Sequence, residues 1–173
     1  LVVTVRLGIV AIVLAPTLFV PLASVLGIGL LLGLVVALFR WRTLTAAGDL
    51  PLPEVKNPTE IRTALSFGLL YGVVLLLAAW LQDIAGSQGL YLVALASGLT
   101  DVDAITLSTL RLFNQQTLNA GPAVTAIGLA VLSNLVFKSG LVIAIGGKAL
   151  AKSVLPGLAA IGVGFIAGIG LLT

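Results

Sequence analysis

The chain contains no cysteine, no histidine and no methionine among its 173 residues. The first two absences exclude thiolate chemistry, disulfides, histidine metal ligands and a Ser-His-Asp triad. Since no nucleophile–base pair or cofactor motif is present either, we do not expect an enzyme. The missing methionine predicts that Leu1 is not a natural start. We therefore expect the C-terminal part of a longer protein that has further N-terminal helices.

Charged residues are also scarce, at 9% of the chain, whereas a soluble domain carries about 25%. Hydrophobic residues make up 60% of the sequence, and the mean hydropathy is +1.24. The expected solvent is therefore a lipid bilayer. The net charge is +3, but the lysines and arginines lie mostly near the ends of apolar runs. This distribution indicates membrane topology and headgroup contacts, and no nucleic-acid partner.

Apolar runs predict an all-α fold, a polytopic membrane bundle of about six helices that forms one domain over residues 1–173. We expect it to be a multi-pass protein of the cell inner membrane. Pro21 predicts a tight turn between the first two runs, and the polar residues 40–57 predict a cytoplasmic loop because they include Arg40 and Arg42. The runs are residues 2–20, 22–39, 58–82, 90–113, 122–145 and 154–172.

Two carboxylates and four hydroxyls interrupt the fourth run between residues 97 and 108. Ionisable groups inside a membrane are costly and usually mark a site. In an unbroken helix Asp101 and Asp103 would point to nearly opposite faces. We therefore predict a break near Gly98 and Asp101, with Asp101 capping a second half-helix that starts near Val102. The run length favours a broken helix that spans, although a segment that dips in and returns satisfies one more basic residue.

The predicted site would bind a hard cation such as Mg²⁺, or a proton, and no other cofactor is expected. Its residues are Asp101 and Asp103 as the ion or metal ligands, with Thr100, Thr106 and Ser108 completing the shell. Oxygen ligands of this kind suit hard cations. Asn134 and Lys138 lie one helical turn apart in the fifth run and are expected to face the carboxylates, with Lys138 as their ionic partner. Arg6 is expected to extend from near a terminus to the interface.

Small residues at four-residue spacing occur on three runs and predict close helix packing. Packing within one chain is favoured over a homo-oligomer. A second hypothesis for function is a structural or regulatory module that docks another membrane protein through these glycines, while an Asp–Lys pair only sets helix register. The small residues are Gly29 and Gly33, Gly68 and Gly72, and Ala160, Gly164 and Gly168.

Several motifs together resemble a bacterial membrane family, domain of unknown function 4010, which is associated with MgtC/SapB-like proteins. The motifs are Gly98-Leu99-Thr100-Asp101-Val102-Asp103-Ala104-Ile105-Thr106-Leu107-Ser108, Asn57-Pro58-x-Glu60, Gly89-Leu90-Tyr91 and Ser133-Asn134-x-x-x-Lys138. The resemblance covers most of the chain after Asn57. It implies a longer domain with further N-terminal helices and a link to divalent-cation homeostasis, chiefly of Mg²⁺. The site residues within the motifs are Asp101, Asp103, Thr106, Ser108, Asn134 and Lys138.

Overall fold

The computed structural model describes residues 2–46, 65, 69 and 89–171, and its regular structure over these residues is entirely helical. Three stretches are long and apolar enough to cross a membrane: Pro16–Trp41, Ala120–Ala144 and Leu150–Gly170. The predicted all-α membrane fold is thereby confirmed. The helices are α1 (Val2–Leu14), α2 (Pro16–Ala46), α3 (Leu90–Thr100), α4 (Val102–Asn114), α5 (Ala120–Ile145) and α6 (Gly147–Gly170).

The first two helices are separated by one residue, Ala15, and the prediction of a turn at Pro21 is wrong. Pro16 takes the first position of α2, where a proline's missing N–H costs nothing, and its ring disfavours helical geometry at Ala15. The helix α2 then continues through Pro21 for 31 residues. A single interior proline removes one backbone hydrogen bond, which a helix of this length tolerates.

Some predicted segments fall on residues that the structure does not describe. Because α2 runs to Ala46, the predicted loop 40–57 begins later than expected, and its remainder lies outside the described residues. The predicted third helix, residues 58–82, also lies outside them, apart from Leu65 and Leu69.

Glycines bring α2 and α6 into close contact. A Cβ atom added at Gly164 would lie 2.6 Å from the Cα of Gly29, and one at Gly168 would lie 2.8 Å from the Cα of Val25. The residue number falls along α6 as it rises along α2, so the two helices are antiparallel. The small residues on these helices therefore serve packing within the chain, as the sequence favoured.

The helices α5 and α6 form a second antiparallel pair around Gly146. The helix α5 ends at Ile145, as predicted, and the Gly146 N–H donates to the Val142 carbonyl at 3.0 Å. The helix α6 begins at Gly147, earlier than the predicted residue 154. Lysine has a high helix propensity, so Lys148 and Lys152 extend the helix although they are too polar to extend the apolar run.

The helices α3 and α4 fold back on one another. One groove of about 580 Å³ is lined by Leu90 and Ser97 of α3, by Ala104 and Leu112 of α4, and by Leu118 in the following turn. In a straight rod, Leu90 and Leu118 would lie about 42 Å apart, too far to line one cavity of this size. The two helices are thus arms of a helical hairpin with its vertex at Asp101, and we call the cavity the hairpin groove.

This hairpin corrects the predicted spanning helix and agrees with the alternative of a segment that dips in and returns. Its arms have 11 and 13 residues, too few for either to cross a hydrocarbon core of about 30 Å. A Cβ atom added at Gly98 would lie 2.6 Å from the Cα of Ala130. That contact lies about 15 Å along α5 from Ala120, whereas the 26 residues of α5 span about 39 Å. The vertex therefore lies at about half the depth of the bundle.

One end of the bundle, which we call the junction face, collects the connections between helices. Asn114, the last residue of α4, donates from Nδ2 to the carbonyl of Leu14 at 2.6 Å. A cavity of about 440 Å³ at this end is lined by Thr17, Asn119 and Ala120 among others. The α1–α2 break, the turn after α4 and the start of α5 therefore lie together, and the hairpin arms rise from this face towards the vertex.

We expect Gly164→Ala to destabilise the bundle by about 1–3 kcal/mol, because the new methyl group would overlap the backbone of α2. Gly157→Ala in the same helix is the matched control, since nothing lies within 4 Å of the added Cβ. That variant should be neutral or slightly stabilising, because alanine favours helix. Reversible unfolding in detergent measures both. Equal stabilities for the two variants would contradict the packing.

Candidate functional site

The vertex of the hairpin is formed by one extended residue, Asp101, with φ −145° and ψ 111°. Its backbone N–H donates to the Ser97 carbonyl at 2.7 Å and ends α3. Its Oδ1 accepts from the Asp103 N–H at 2.8 Å and caps α4. The predicted break and the predicted cap before Val102 are both present. Asp101 is exposed at the vertex, and the cap uses only Oδ1 of its two carboxylate oxygens.

Two carbonyls in the C-terminal half of α3 accept hydrogen bonds from side chains of α5. Asn134 donates from Nδ2 to the Gly98 carbonyl at 3.0 Å, and Ser133 donates from Oγ to the Leu95 carbonyl at 2.6 Å. Carbonyls in the last turn of a helix lack intrahelical partners, so the bond to Gly98 satisfies a group that would be costly to leave unpaired inside a membrane. Leu95 lies before the last turn, and the bond to its carbonyl adds a second contact between α3 and α5. Asn134, which the sequence predicts to face the carboxylates, donates to the backbone of the hairpin.

Asp103 pairs with Arg6 of α1. The distance from Arg6 Nη2 to Asp103 Oδ2 is 2.5 Å, and the two side chains are 54% and 36% exposed. The other oxygen, Asp103 Oδ1, is buried and has no hydrogen-bond partner among the described residues. Half of the carboxylate is thus engaged by a cation, and half is an unsatisfied acceptor at the bundle's mid-depth.

Lys138 is exposed and, within the described part of the chain, forms no ion pair with Asp101 or Asp103. The sequence predicted this pairing, and the structure replaces Lys138 by Arg6. The reason is the hairpin: Lys138 lies about 12 Å along α5 beyond Ala130, towards the end that the returning arms do not reach. The expectation that Arg6 extends to the interface is corrected by the same contact.

The three predicted hydroxyl ligands donate to carbonyls of their own helices. The bonds are Thr100 Oγ1 to Ser97 O at 3.0 Å, Thr106 Oγ1 to Val102 O at 2.7 Å and Ser108 Oγ to Ala104 O at 2.9 Å. Their lone pairs remain acceptors. Ser108 lies about 140° around α4 from Asp103, so it points away from the carboxylate and lines the hairpin groove instead. Thr100 and Thr106 lie closest in sequence to the two acids.

A metal site with three or more His, Cys, Asp or Glu side chains is absent from the described residues. Two carboxylates with Arg6 beside them carry a net charge of −1. Mg²⁺ is held in many proteins by one or two carboxylates together with waters. The donor set therefore suits a partly hydrated hard cation or a proton, and it does not form a closed cage.

Two functional candidates were missed by the sequence reasoning. Arg6 lies near the start of its apolar run, which predicts an interfacial anchor. Its separation of 97 residues from Asp103 leaves no local sequence pattern that links the two residues. Thr109 was not singled out at all. It is fully buried, and its Oγ1 has no hydrogen-bond partner among the described residues. Its spacing of three residues from Thr106 on α4 was the available signal.

The chain belongs to the family described as "Domain of unknown function (DUF4010)", whose model matches residues 1–146. The match includes the hairpin, Arg6 and the part of α5 that fastens the vertex.

An uncharacterized protein of Aquifex aeolicus (strain VF5) is 38% identical to this chain over 97 residues, which are 56% of the chain and 42% of that protein. The chain thus matches less than half the length of this relative. No solved structure matches the fold significantly.

The ion pair predicts a thermodynamic coupling between Arg6 and Asp103. Because both side chains are partly exposed, we expect a coupling of about 1 kcal/mol or less in a double-mutant cycle of Arg6→Gln and Asp103→Asn. The measurement is unfolding of the single and double variants in detergent. In the matched cycle, Lys138→Gln should be additive with Asp103→Asn. Coupling to Lys138 and none to Arg6 would reverse the assignment.

Proposed function

We propose that this chain is an integral membrane domain that binds a hard cation, or a proton, at Asp103 and Asp101 and carries it across the bilayer. The observation that carries the proposal is Asp103 itself. One of its oxygens contacts Arg6 and the other is buried without a partner, at the vertex of a hairpin that re-enters the bundle. Ionisable residues and broken helices at this depth recur in ion pathways.

Arg6 acts as a resident cation in this proposal. Without a bound ion, its guanidinium offsets the charge of Asp103 and lowers the cost of keeping the carboxylate inside the bundle. An incoming cation, or a proton, takes the place of Arg6 at the carboxylate. Since Asp101 contributes a second negative charge at the vertex, the site attracts a cation even while Arg6 is in contact. Asp101 and Asp103 bind the ion, and the hydroxyls of Thr100 and Thr106 complete its shell.

The proposed location is the cell inner membrane, with the junction face on the outer side. The hairpin returns to the junction face, so Arg111 lies near the outer side. Arg40 in α2 and Lys152 in α6 both lie towards the other face of the bundle, away from the junction face. An excess of basic residues on the cytoplasmic side follows the usual rule. Mg²⁺ is the cation we test first, in line with the proposed relation to MgtC/SapB-like proteins.

The alternative, a module that docks another membrane protein through its glycines, has less support. Gly164 and Gly168 pack against α2 inside the chain and are not free to form a docking surface. We propose three partners for the chain: the lipid bilayer, further N-terminal helices of the longer protein and a second copy of the chain.

The test is ion uptake into proteoliposomes that contain the protein carrying this chain, measured separately for Mg²⁺, Na⁺ and protons. Asp103→Asn should reduce uptake of the transported ion by at least about tenfold, because the charge that binds it is lost. Asp101→Asn should reduce uptake while keeping the helix cap, since asparagine also caps. Arg6→Gln should raise the apparent affinity for the ion, because a competing cation is removed.

Lys138→Gln is the matched control, because Lys138 is an exposed cation in an apolar run and forms no ion pair with the acids among the described residues. Its uptake should equal that of the wild type. Uptake that is the same for Asp103→Asn and the wild type, for all of the ions, would overturn the proposal.

A further inference from the structure

The hairpin groove carries hydroxyl groups along its length. Thr117, in the exposed turn after α4, lies at one end, and Ser97, near the vertex, lies at the other. Ser108 and Thr109 of α4 line the wall between them. Among the described lining residues, none is charged, and the remaining wall is made of leucine, valine, isoleucine and alanine side chains.

Thr109 adds a buried hydroxyl to the wall of the groove. Its side chain is fully buried, yet its Oγ1 has no hydrogen-bond partner within the described residues. An unsatisfied hydroxyl inside a membrane protein is costly, and ordered water is the usual partner for such a group. The groove, at about 580 Å³, has room for many waters and offers the further hydroxyls that they need.

The inner end of the groove reaches the vertex. Ser97 lines the groove, and its carbonyl accepts the Asp101 N–H at 2.7 Å, so one helical turn separates the groove from the capping carboxylate. The outer end opens at the turn that follows α4, on the junction face. The groove therefore runs from the junction face to within one helical turn of Asp101.

We infer that the hairpin groove is a water-filled vestibule through which a hydrated hard cation or a proton reaches Asp101 at the vertex from the junction face. The inference rests on the proposed function. Hydroxyl walls without fixed charge hydrate an ion but do not hold it, so the ion passes to the first carboxylate it meets, which is Asp101 at the vertex.

The absence of cysteine from the chain allows a direct test with single cysteines. Ser97→Cys, Ser108→Cys and Thr117→Cys are made in the protein carrying this chain and are exposed in sealed proteoliposomes or cells to a membrane-impermeant, water-soluble thiol reagent. The reactive species is the thiolate, which forms only where water reaches the sulfur. All three cysteines should react from the same side of the membrane.

Ser24→Cys is the matched control. Ser24 is exposed on the outside of α2, and eight residues from Pro16 place it about 12 Å from the junction face, a depth similar to that of Ser97. Ser97→Cys and Ser108→Cys should react at least about tenfold faster than Ser24→Cys, because only the groove is hydrated.

Reaction of Ser97→Cys no faster than Ser24→Cys, while Thr117→Cys reacts, would overturn the vestibule, since the groove would then be filled by lipid or protein. The labelling is read without any measurement of uptake. Loss of the vestibule therefore leaves the uptake result for Asp103→Asn to decide the cation proposal by itself, and labelling of all three cysteines without uptake would reject the transported ion but keep the water-filled groove.

Discussion

A single extended residue, Asp101, ends one helix and begins the next, and the arrangement of the hairpin follows from it. Its backbone N–H closes α3 and its side chain caps α4, while Asn134 of α5 donates to the Gly98 carbonyl, so these backbone groups at the break have partners. Without such partners a break inside a bilayer would cost several kcal/mol per orphaned group. The cap therefore permits the chain to turn back at mid-depth, which brings Asp103 to the side of the bundle where α1 lies.

The position of α1 then decides which cation meets the acid. Two contacts hold α1 parallel to α4, the Arg6–Asp103 pair near the vertex and the Asn114–Leu14 hydrogen bond at the junction face. The pair is only partly buried and leaves Asp103 Oδ1 without a hydrogen-bond partner among the described residues. It therefore contributes little to the stability of the fold. A carboxylate that is half engaged is better suited to exchange one cation for another, and this is the physical basis of the proposed function.

The sequence was sufficient for the features that depend on neighbouring residues, and insufficient for those that depend on distant ones. The break and the cap at Asp101 followed from two carboxylates at a spacing that no single helix face accommodates. The end of α5 followed from Gly146. The partner of Asp103 could not be predicted, because it depends on whether the two arms fold back on each other. A run of 24 apolar residues predicts a membrane-spanning helix whether or not the chain turns back within it. Lys138 was the expected partner on that assumption, and the fold brings Arg6 there instead.

The direct test of the account is the distance between the two ends of the hairpin. It is measured by double electron–electron resonance between spin labels attached to Leu90→Cys and Leu118→Cys in the cysteine-free chain. The structure predicts a short distance, below about 25 Å including the label arms, because both residues line one groove. A distribution centred near about 42 Å would mean that α3 and α4 run end to end across the bilayer. The vertex would then not return to the junction face, and neither the site nor the vestibule could exist as described.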